Sequence, residues 1–460
     1  MTAAGRGTYT RGLSGFPGQC VRAVAAACAC TLLAAPAALA APAPPLQGLV
    51  QARRDLATLA LAARSPGAAR LARSAEDELG RATAPALWID PSHVLAPSYG
   101  LAVFAGSRGA LLKLEHARTG SLPSGSLSAV ERRILTADRR LAEGSILQAR
   151  GGTGGLLRRA SGMVLSGDRW AVTSRVDLAA EQYGAAWRIA FQALEELIRA
   201  RVEFGSPGAL SSGALRALGN GARTRPAGVH VLAGRGTLER SGKPEVLYVG
   251  IESCPACALS RWGLVIALSQ FGTFSQLRLG QSAVTEQPFI PSFTFSGARY
   301  SSPYLSFVGA EVSGDLPSPG GGFQSLDRLT PAEARLFRRL DARGTAPFID
   351  VANQFVDVGA TVSPGLAGGL SWSQLAASVR RPRTQAGQAI AASAEVFTAE
   401  ICRATGGEPA SVCSSAAVAD YTGHLARFGA RAVGCPVVGG GARRTVARRV
   451  VVARRVVAGR

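Results

Sequence analysis

From Leu46 to about Ala222 the apolar residues recur at the three-to-four spacing of helices rather than the alternation of strands. Tyr183, Trp187, Ala190, Phe191, Leu194, Leu197 and Ile198 trace one apolar face, and Arg188, Glu195, Glu196 and Arg199 take the solvated one. Leu127, Val130, Ile134 and Leu141 predict a second helix, with Glu131, Arg132 and Arg133 in solvent, and Leu49, Leu56, Leu59 and Ala63 a third. Aromatics in such stripes are read as core. Gly/Ser/Pro-rich breaks fall at Gly151–Gly155 and Gly205–Gly213. The first reads as a flexible connector, not a phosphate loop, because no Gly-Lys-Ser/Thr follows it. Trp88–His93 and Leu101–Phe104 are expected to form a strand or loop insertion, and His93 and His116 have no evident partner.

The pattern changes after a boundary at about Arg225–Gly242, rich in Gly, Pro and Arg. Glu245–Ile251, Glu-Val-Leu-Tyr-Val-Gly-Ile, has the texture of a buried strand. Ala258, Trp262, Val265, Ile266 and Ser269 then recur at helical spacing, with Pro255 suited to the first turn. Phe274–Ser282 predicts a second strand and Pro291–Phe295 an extra one. Thr330 reads as the N-cap of a helix reaching Ala342, with Pro331 just inside it. Gly344–Gly359 predicts a hairpin turning near Asn353, and Ser371–Arg380 a final helix.

Composition narrows the class. The chain has 460 residues, 47% hydrophobic and 18% charged, so it is globular and long enough for two or three domains. Its formal charge of +21 comes almost wholly from arginine spread along the length, only Lys113 and Lys243 being lysine. That spread predicts no specific nucleic-acid partner, although a basic surface suits anionic membrane or envelope partners. At the N-terminus, Arg6, Arg11 and Arg22 precede an Ala-rich apolar stretch, Ala23–Ala35, and then Pro36 and Ala38-Leu39-Ala40. This pattern predicts a signal peptide over residues 1–40, or, if retained, an N-terminal anchor. Cys28 and Cys30 lack the leucine that lipid attachment uses. The low-complexity tail, residues 433–460, is expected to be a solvated basic end.

Cleavage after Ala40 leaves Cys254, Cys257, Cys402, Cys413 and Cys435. Cys402 and Cys413 bracket a Gly-Gly-Glu-Pro turn between helical segments, and in an exported chain they are expected to form a structural disulfide. Cys435 is left over. Cys254 and Cys257 carry the candidate chemistry: a Cys-x-x-Cys between a strand and a helix. At the helix start, unpaired amides and the helix dipole favour a thiolate on Cys254, the nucleophile, while Cys257, one turn inside, resolves the mixed disulfide. A structural disulfide and a metal site remain as alternatives, although a zinc site wants a second ligand pair and none follows. Glu252 is placed to raise the Cys254 pKa or relay a proton and Arg261 to oppose it, unless the two form a solvated pair.

The order strand, Cys-x-x-Cys helix, strand, helix, hairpin opening on proline, last helix resembles the thioredoxin fold over roughly Glu245–Arg380. That resemblance implies a cis peptide at Pro347, in Thr-Ala-Pro-Phe-Ile, facing the redox pair, with Pro291 as the weaker choice. Cys-Pro-Ala-Cys-Ala followed by Arg-Trp, Ala-Leu-Ser-Gln-Phe-Gly-Thr-Phe, Phe-Thr-Phe, Tyr-Leu-Ser-Phe and Ile-Cys-Arg-Ala-Thr-Gly-Gly is similar to a prokaryotic domain-of-unknown-function family, number nine-twenty-nine, over about Pro244–Val418. The family implies a fold but no reaction. The intervening Pro-Ala matches neither reducing thioredoxins nor strongly oxidising relatives, so the direction of electron flow stays open.

The expectation is therefore an α/β chain: a mostly helical region over 41–225, a thioredoxin-like domain with helical insertions and a C-terminal helical hairpin over 240–432, and the basic tail. Its catalytic residues would be Cys254, Cys257 and Pro347, with no cofactor or metal. Its partners would be protein thiols or disulfides of the envelope or of secreted proteins, and a redox partner protein. The alternatives are a non-catalytic binding or scaffold module and a metal chaperone.

Overall fold

The computed structural model describes residues 43–89, 100–118, 122–203, 229–232, 236–283, 285–286, 288–318, 321–416, 418–419 and 421. The expected signal segment, His93, Gly205–Gly213, Cys435 and the basic tail lie outside them. The first part is helical, as its spacing predicts: α1 (Pro45–Ala62), α2 (Pro66–Ala82), α3 (Gly100–Ala117), α4 (Ser124–Gln148), α5 (Gly154–Val172) and α6 (Val176–Glu203). Proline opens α1 and α2, where no amide donor is missed, and the Ser65 side chain caps α2 by accepting from the Ala68 amide. Among the described residues, no helix is long and apolar enough to cross a membrane.

Four sequence expectations change here. Leu101–Phe104 belongs to α3, because Val103, Phe104, Ala110, Leu111 and Leu114 complete a buried helical stripe that a four-residue window cannot reveal. His116 on that helix lies 2.7 Å from the Leu112 carbonyl through Nδ1. Glu131 is buried against Arg118 rather than solvated. Of Gly151–Gly155, Gly154 and Gly155 open α5, and Gly152 is held close to α6, where a Cβ would fall 2.8 Å from the Ala193 carbonyl oxygen.

The helix α6 has two jobs. Val176, Ala179, Ala180, Tyr183, Ala186 and Trp187 in its first half join the helical core. Ala193, Leu194, Ile198 and Val202 in its second half join the core under the sheet. Glu195, expected in solvent, is partly buried there and its Oε1 accepts from the Leu279 amide at 3.0 Å.

The sheet-containing part opens with β1 (Val229–Val231), β2 (Glu239–Arg240) and β3 (Lys243–Gly250), and then α7 (Pro255–Leu268). Three two-stranded ribbons involve β4 (Thr273–Ser275), β5 (Arg278–Gln281), β6 (Pro291–Thr294), β7 (Arg299–Ser301), β9 (Ser313–Pro317) and β10 (Phe323–Ser325), paired β4–β7, β5–β6 and β9–β10. Between them β8 (Ser306–Glu311) runs parallel to β3, Gly250 facing Glu311. After α8 (Pro331–Leu340) come β11 (Phe348–Val351) and β12 (Phe355–Val358), then α9 (Trp372–Arg380), α10 (Gln385–Ala404) and α11 (Ala410–Cys413). The main sheet has the order β1-β12-β11-β3-β8, with β2 pairing the start of β3.

The run Phe274–Ser282 predicts a single strand, but it is broken into β4 and β5 at Gln276, whose φ is +60°. The parallel neighbour of β3 is β8 instead. The other elements agree: Thr330 and Ser371 close capping boxes on α8 and α9, and the β11–β12 turn carries Asn353 at φ +56°. Alternation along β3 separates two faces, with Val246 and Tyr248 toward α7 and Leu247 and Val249 toward Leu336 and Phe337 of α8.

The Cys402–Cys413 disulfide is present and joins α10 to α11 across the Glu408–Pro409 cis peptide. The sequence separation is 11, so replacing both cysteines by serine is expected to cost about 3 kcal/mol by releasing the unfolded loop. A denaturant midpoint compared with wild type under oxidising conditions checks this, and an unchanged midpoint would refute it.

Candidate functional site

Cys254 is the N-cap of α7, Pro255 its first residue, and the Cys254 Sγ accepts from the Cys257 amide at 3.2 Å. Both are free thiols; Cys254 is partly exposed and Cys257 buried. The local sequence explains the placement. β3 ends at Gly250, where a Cβ would fall 2.1 Å from the Tyr248 hydroxyl, so glycine lets Tyr248 fold back over the chain. The chain then turns through Ile251, whose carbonyl accepts from the Cys254 amide at 3.3 Å, and the Ser253 carbonyl accepts from Ala283 at 3.1 Å.

The Ala346–Pro347 peptide is cis. Phe348 faces Val249 across the β11–β3 ladder, so Pro347 lies at the end of the sheet where the chain leaves β3 for Cys254. The three expected site residues therefore share one end of the sheet. Cys402 and Cys413 lie elsewhere. Ser393 of α10 packs on Gly263 and Thr398 accepts from Gln270 at 3.2 Å, so α10 runs alongside α7 in the same direction. Its disulfide lies beyond the C-terminal end of α7, roughly 25 Å from Cys254 and Cys257 by helical rise.

Beneath the thiols lies a polar cluster. Arg261 of α7 is fully buried, and so is its ion-pair partner Glu311 of β8 at 3.1 Å. The same guanidinium donates to Ser292 Oγ (3.3 Å), Tyr248 Oη (3.4 Å) and the Ile251 and Glu252 carbonyls (3.5 and 3.4 Å). The Glu252 carboxylate is buried too, and it accepts from Thr294 Oγ1. A solvated Glu252–Arg261 pair is thus excluded; each has a separate buried partner. Nothing in the sequence marks Glu311, Tyr248, Ser292 or Thr294 as members of this site.

These surroundings split the two thiols. A hydrogen bond from the Cys257 thiol, opposed by burial and aided by the Cys257 amide and the Arg261 charge, lowers the Cys254 pKa to about 7. Burial, and then the proximity of Cys254, pushes Cys257 well up. Alkylation of Cys254 in the reduced protein is therefore expected to rise through about pH 7 and level off, with Cys257 silent. A midpoint near that of an ordinary thiol, about 8.5, would contradict this. Glu311 is raised to about 7, foremost by burial and against the pull of Arg261. Among the described residues, no cluster of three or more His, Cys, Asp or Glu could hold a metal ion.

No curated protein and no solved structure matches this chain. A family model does match a segment that starts before Pro244 and stops well short of Val418, leaving out Cys402 and Cys413. The segment with Cys254 and Cys257, residues 233–317, matches the family described as Domain of unknown function (DUF929).

Proposed function

We propose that this protein is an exported thioredoxin-like thiol-disulfide oxidoreductase that works on envelope or secreted proteins through Cys254 and Cys257. The observation that carries the reading is the asymmetry of the pair: a partly exposed N-cap thiol with a lowered pKa, one turn from a buried thiol with a raised one. The thioredoxin-like reading is supported by the order β3, α7, parallel β8, α8, cis-proline hairpin β11–β12 and α9. Export is supported by the N-terminal Arg–Ala pattern and by the Cys402–Cys413 disulfide, a bond that persists in oxidising compartments.

The Cys254 thiolate attacks one sulfur of a substrate disulfide, and the other sulfur leaves as a thiolate that takes up a proton. Cys257 then loses its proton and attacks the Cys254 sulfur, which frees the substrate's second thiol. Two electrons have passed to the substrate, and a redox partner protein must return them; the reverse sequence oxidises a dithiol.

Redox titration in defined thiol–disulfide buffers, on wild type and Cys254→Ser, tests this. A reversible one-step transition and turnover of a model disulfide protein, both lost in the variant, are expected. A pair that resists reduction until the protein unfolds would leave a structural bond, and the proposal would fail.

A further inference from the structure

We infer that Arg261 is the positioning residue of the dithiol: its buried guanidinium, clamped by Glu311, ties down the turn before Cys254 and sets the charge that the Cys254 thiolate faces. The inference deepens the redox reading and rests on it. Three observations carry it together. Arg261 is completely buried one turn beyond Cys257 on the same helix. Its donors reach the Ile251 and Glu252 carbonyls, the two peptides that lead into Ser253 and Cys254. Glu311 meets it with both carboxylate oxygens, at 3.1 Å each.

A guanidinium keeps its charge throughout the working pH range, unlike a lysine or histidine at the same place. Buried, it is screened little by water, and its charge favours the Cys254 thiolate alongside the larger contribution of the Cys257 hydrogen bonds. Glu311 fixes it and also partly cancels it. The ionisable groups around this centre are Tyr248 on β3, Glu252 in the turn, Cys257 on α7, Glu311 on β8 and Asp327, whose Oδ2 accepts from the Glu311 amide at 2.9 Å. Asp315 of β9 is buried and accepts from Gln281 at 3.1 Å. On α10, which packs along α7, Ser393 and Phe397 face Gly263, while the buried Glu395 lies about 200° round the helix from Ser393.

Arg261 and Glu311 then act on Cys254 with opposite signs. Removing the cation weakens the thiolate, and removing the carboxylate while keeping the cation strengthens it. A merely structural pair behaves differently: loss of either member loosens the turn and moves Cys254 toward an ordinary thiol in both cases.

The test is the pH profile of Cys254 alkylation by iodoacetamide in the reduced full-length protein, which needs no protein substrate and so separates this inference from the redox reading. In Arg261→Met the midpoint is expected to rise by about one pH unit, and in Glu311→Gln to fall by about one, each a tenfold change in thiolate below the midpoint. Arg261→Lys, which keeps the charge, is expected to move less than Arg261→Met. Upward shifts in both Arg261→Met and Glu311→Gln, or no shift in either, overturn the inference. If Arg261→Met does not fold, Glu311→Gln decides: a downward shift supports it and any other result overturns it. Opposite shifts in a protein that exchanges no protein disulfide would leave the inference standing and sink the oxidoreductase reading.

Discussion

Cys257→Ser is expected to capture a protein disulfide substrate as a stable mixed disulfide on Cys254, in near-stoichiometric yield, where wild type shows almost none. Of the two free cysteines among the described residues, Cys254, the N-cap of α7, is the partly exposed one and Cys257 is buried. An incoming disulfide therefore meets Cys254 first. Serine is close to cysteine in size, and the Cys254 Sγ still faces the amide of residue 257, so the attack survives. What is lost is the second thiolate that would cleave the intermediate. Cys254→Ser should abolish capture and turnover alike, down to the uncatalysed rate. Non-reducing gels with and without dithiothreitol, in a Cys435→Ser background, give the readout. Equal capture by Cys254→Ser and Cys257→Ser would show that neither thiol has the assigned role.

The elements that the sequence made legible are those whose signal is local. α7 declares itself by a proline after the N-cap cysteine and an apolar stripe, α8 and α9 by N-caps, and the hairpin by Asn353 at its turn. β8 was illegible for a physical reason. It pairs only with β3 at the edge of the sheet, carries Ser306 and Gly309, and is half-buried over most of its length, so neither alternation nor a long apolar run marks it. Losing β8 meant losing Glu311, because its relation to Arg261 exists only once β8 lies in register beside β3 with Glu311 opposite Gly250. Glu252 and Arg261 stand out because they sit near the cysteines in sequence, but that proximity does not reveal their burial: Arg261 donates to the Glu252 carbonyl, while each side chain finds a partner more than 40 residues away. Glu131 teaches the same lesson in the helical region, a charged residue on a nominally solvated face that Arg118 accompanies into the core.

Trp262→Ala should produce the largest loss of stability of any single change in α7. Trp262 is fully buried, its ring meets Phe293 edge-on at 4.7 Å, and its Nε1 donates to the Pro291 carbonyl at 2.8 Å. Truncation to alanine leaves a cavity between α7 and β6, a change that costs about 3–5 kcal/mol in well-packed cores. The cost includes a buried carbonyl stripped of its donor, by itself about 1–3 kcal/mol. Trp262→Phe separates these contributions, because it keeps most of the volume but no N–H, and is expected to cost less than half as much. Denaturant midpoints of the two variants check the order. The loss should reach Cys254 and Cys257 as well, since Pro291 and Ser292 belong to one strand and Ser292 Oγ holds the Arg261 guanidinium. In Trp262→Ala the Cys254 alkylation midpoint is therefore expected to drift upward toward an ordinary thiol, whereas Trp262→Phe should leave it near 7. An alanine variant that unfolds at the wild-type denaturant concentration would mean that α7 is not held to β6 by this side chain, and that the geometry under Cys254 is maintained from β3 and β8 alone.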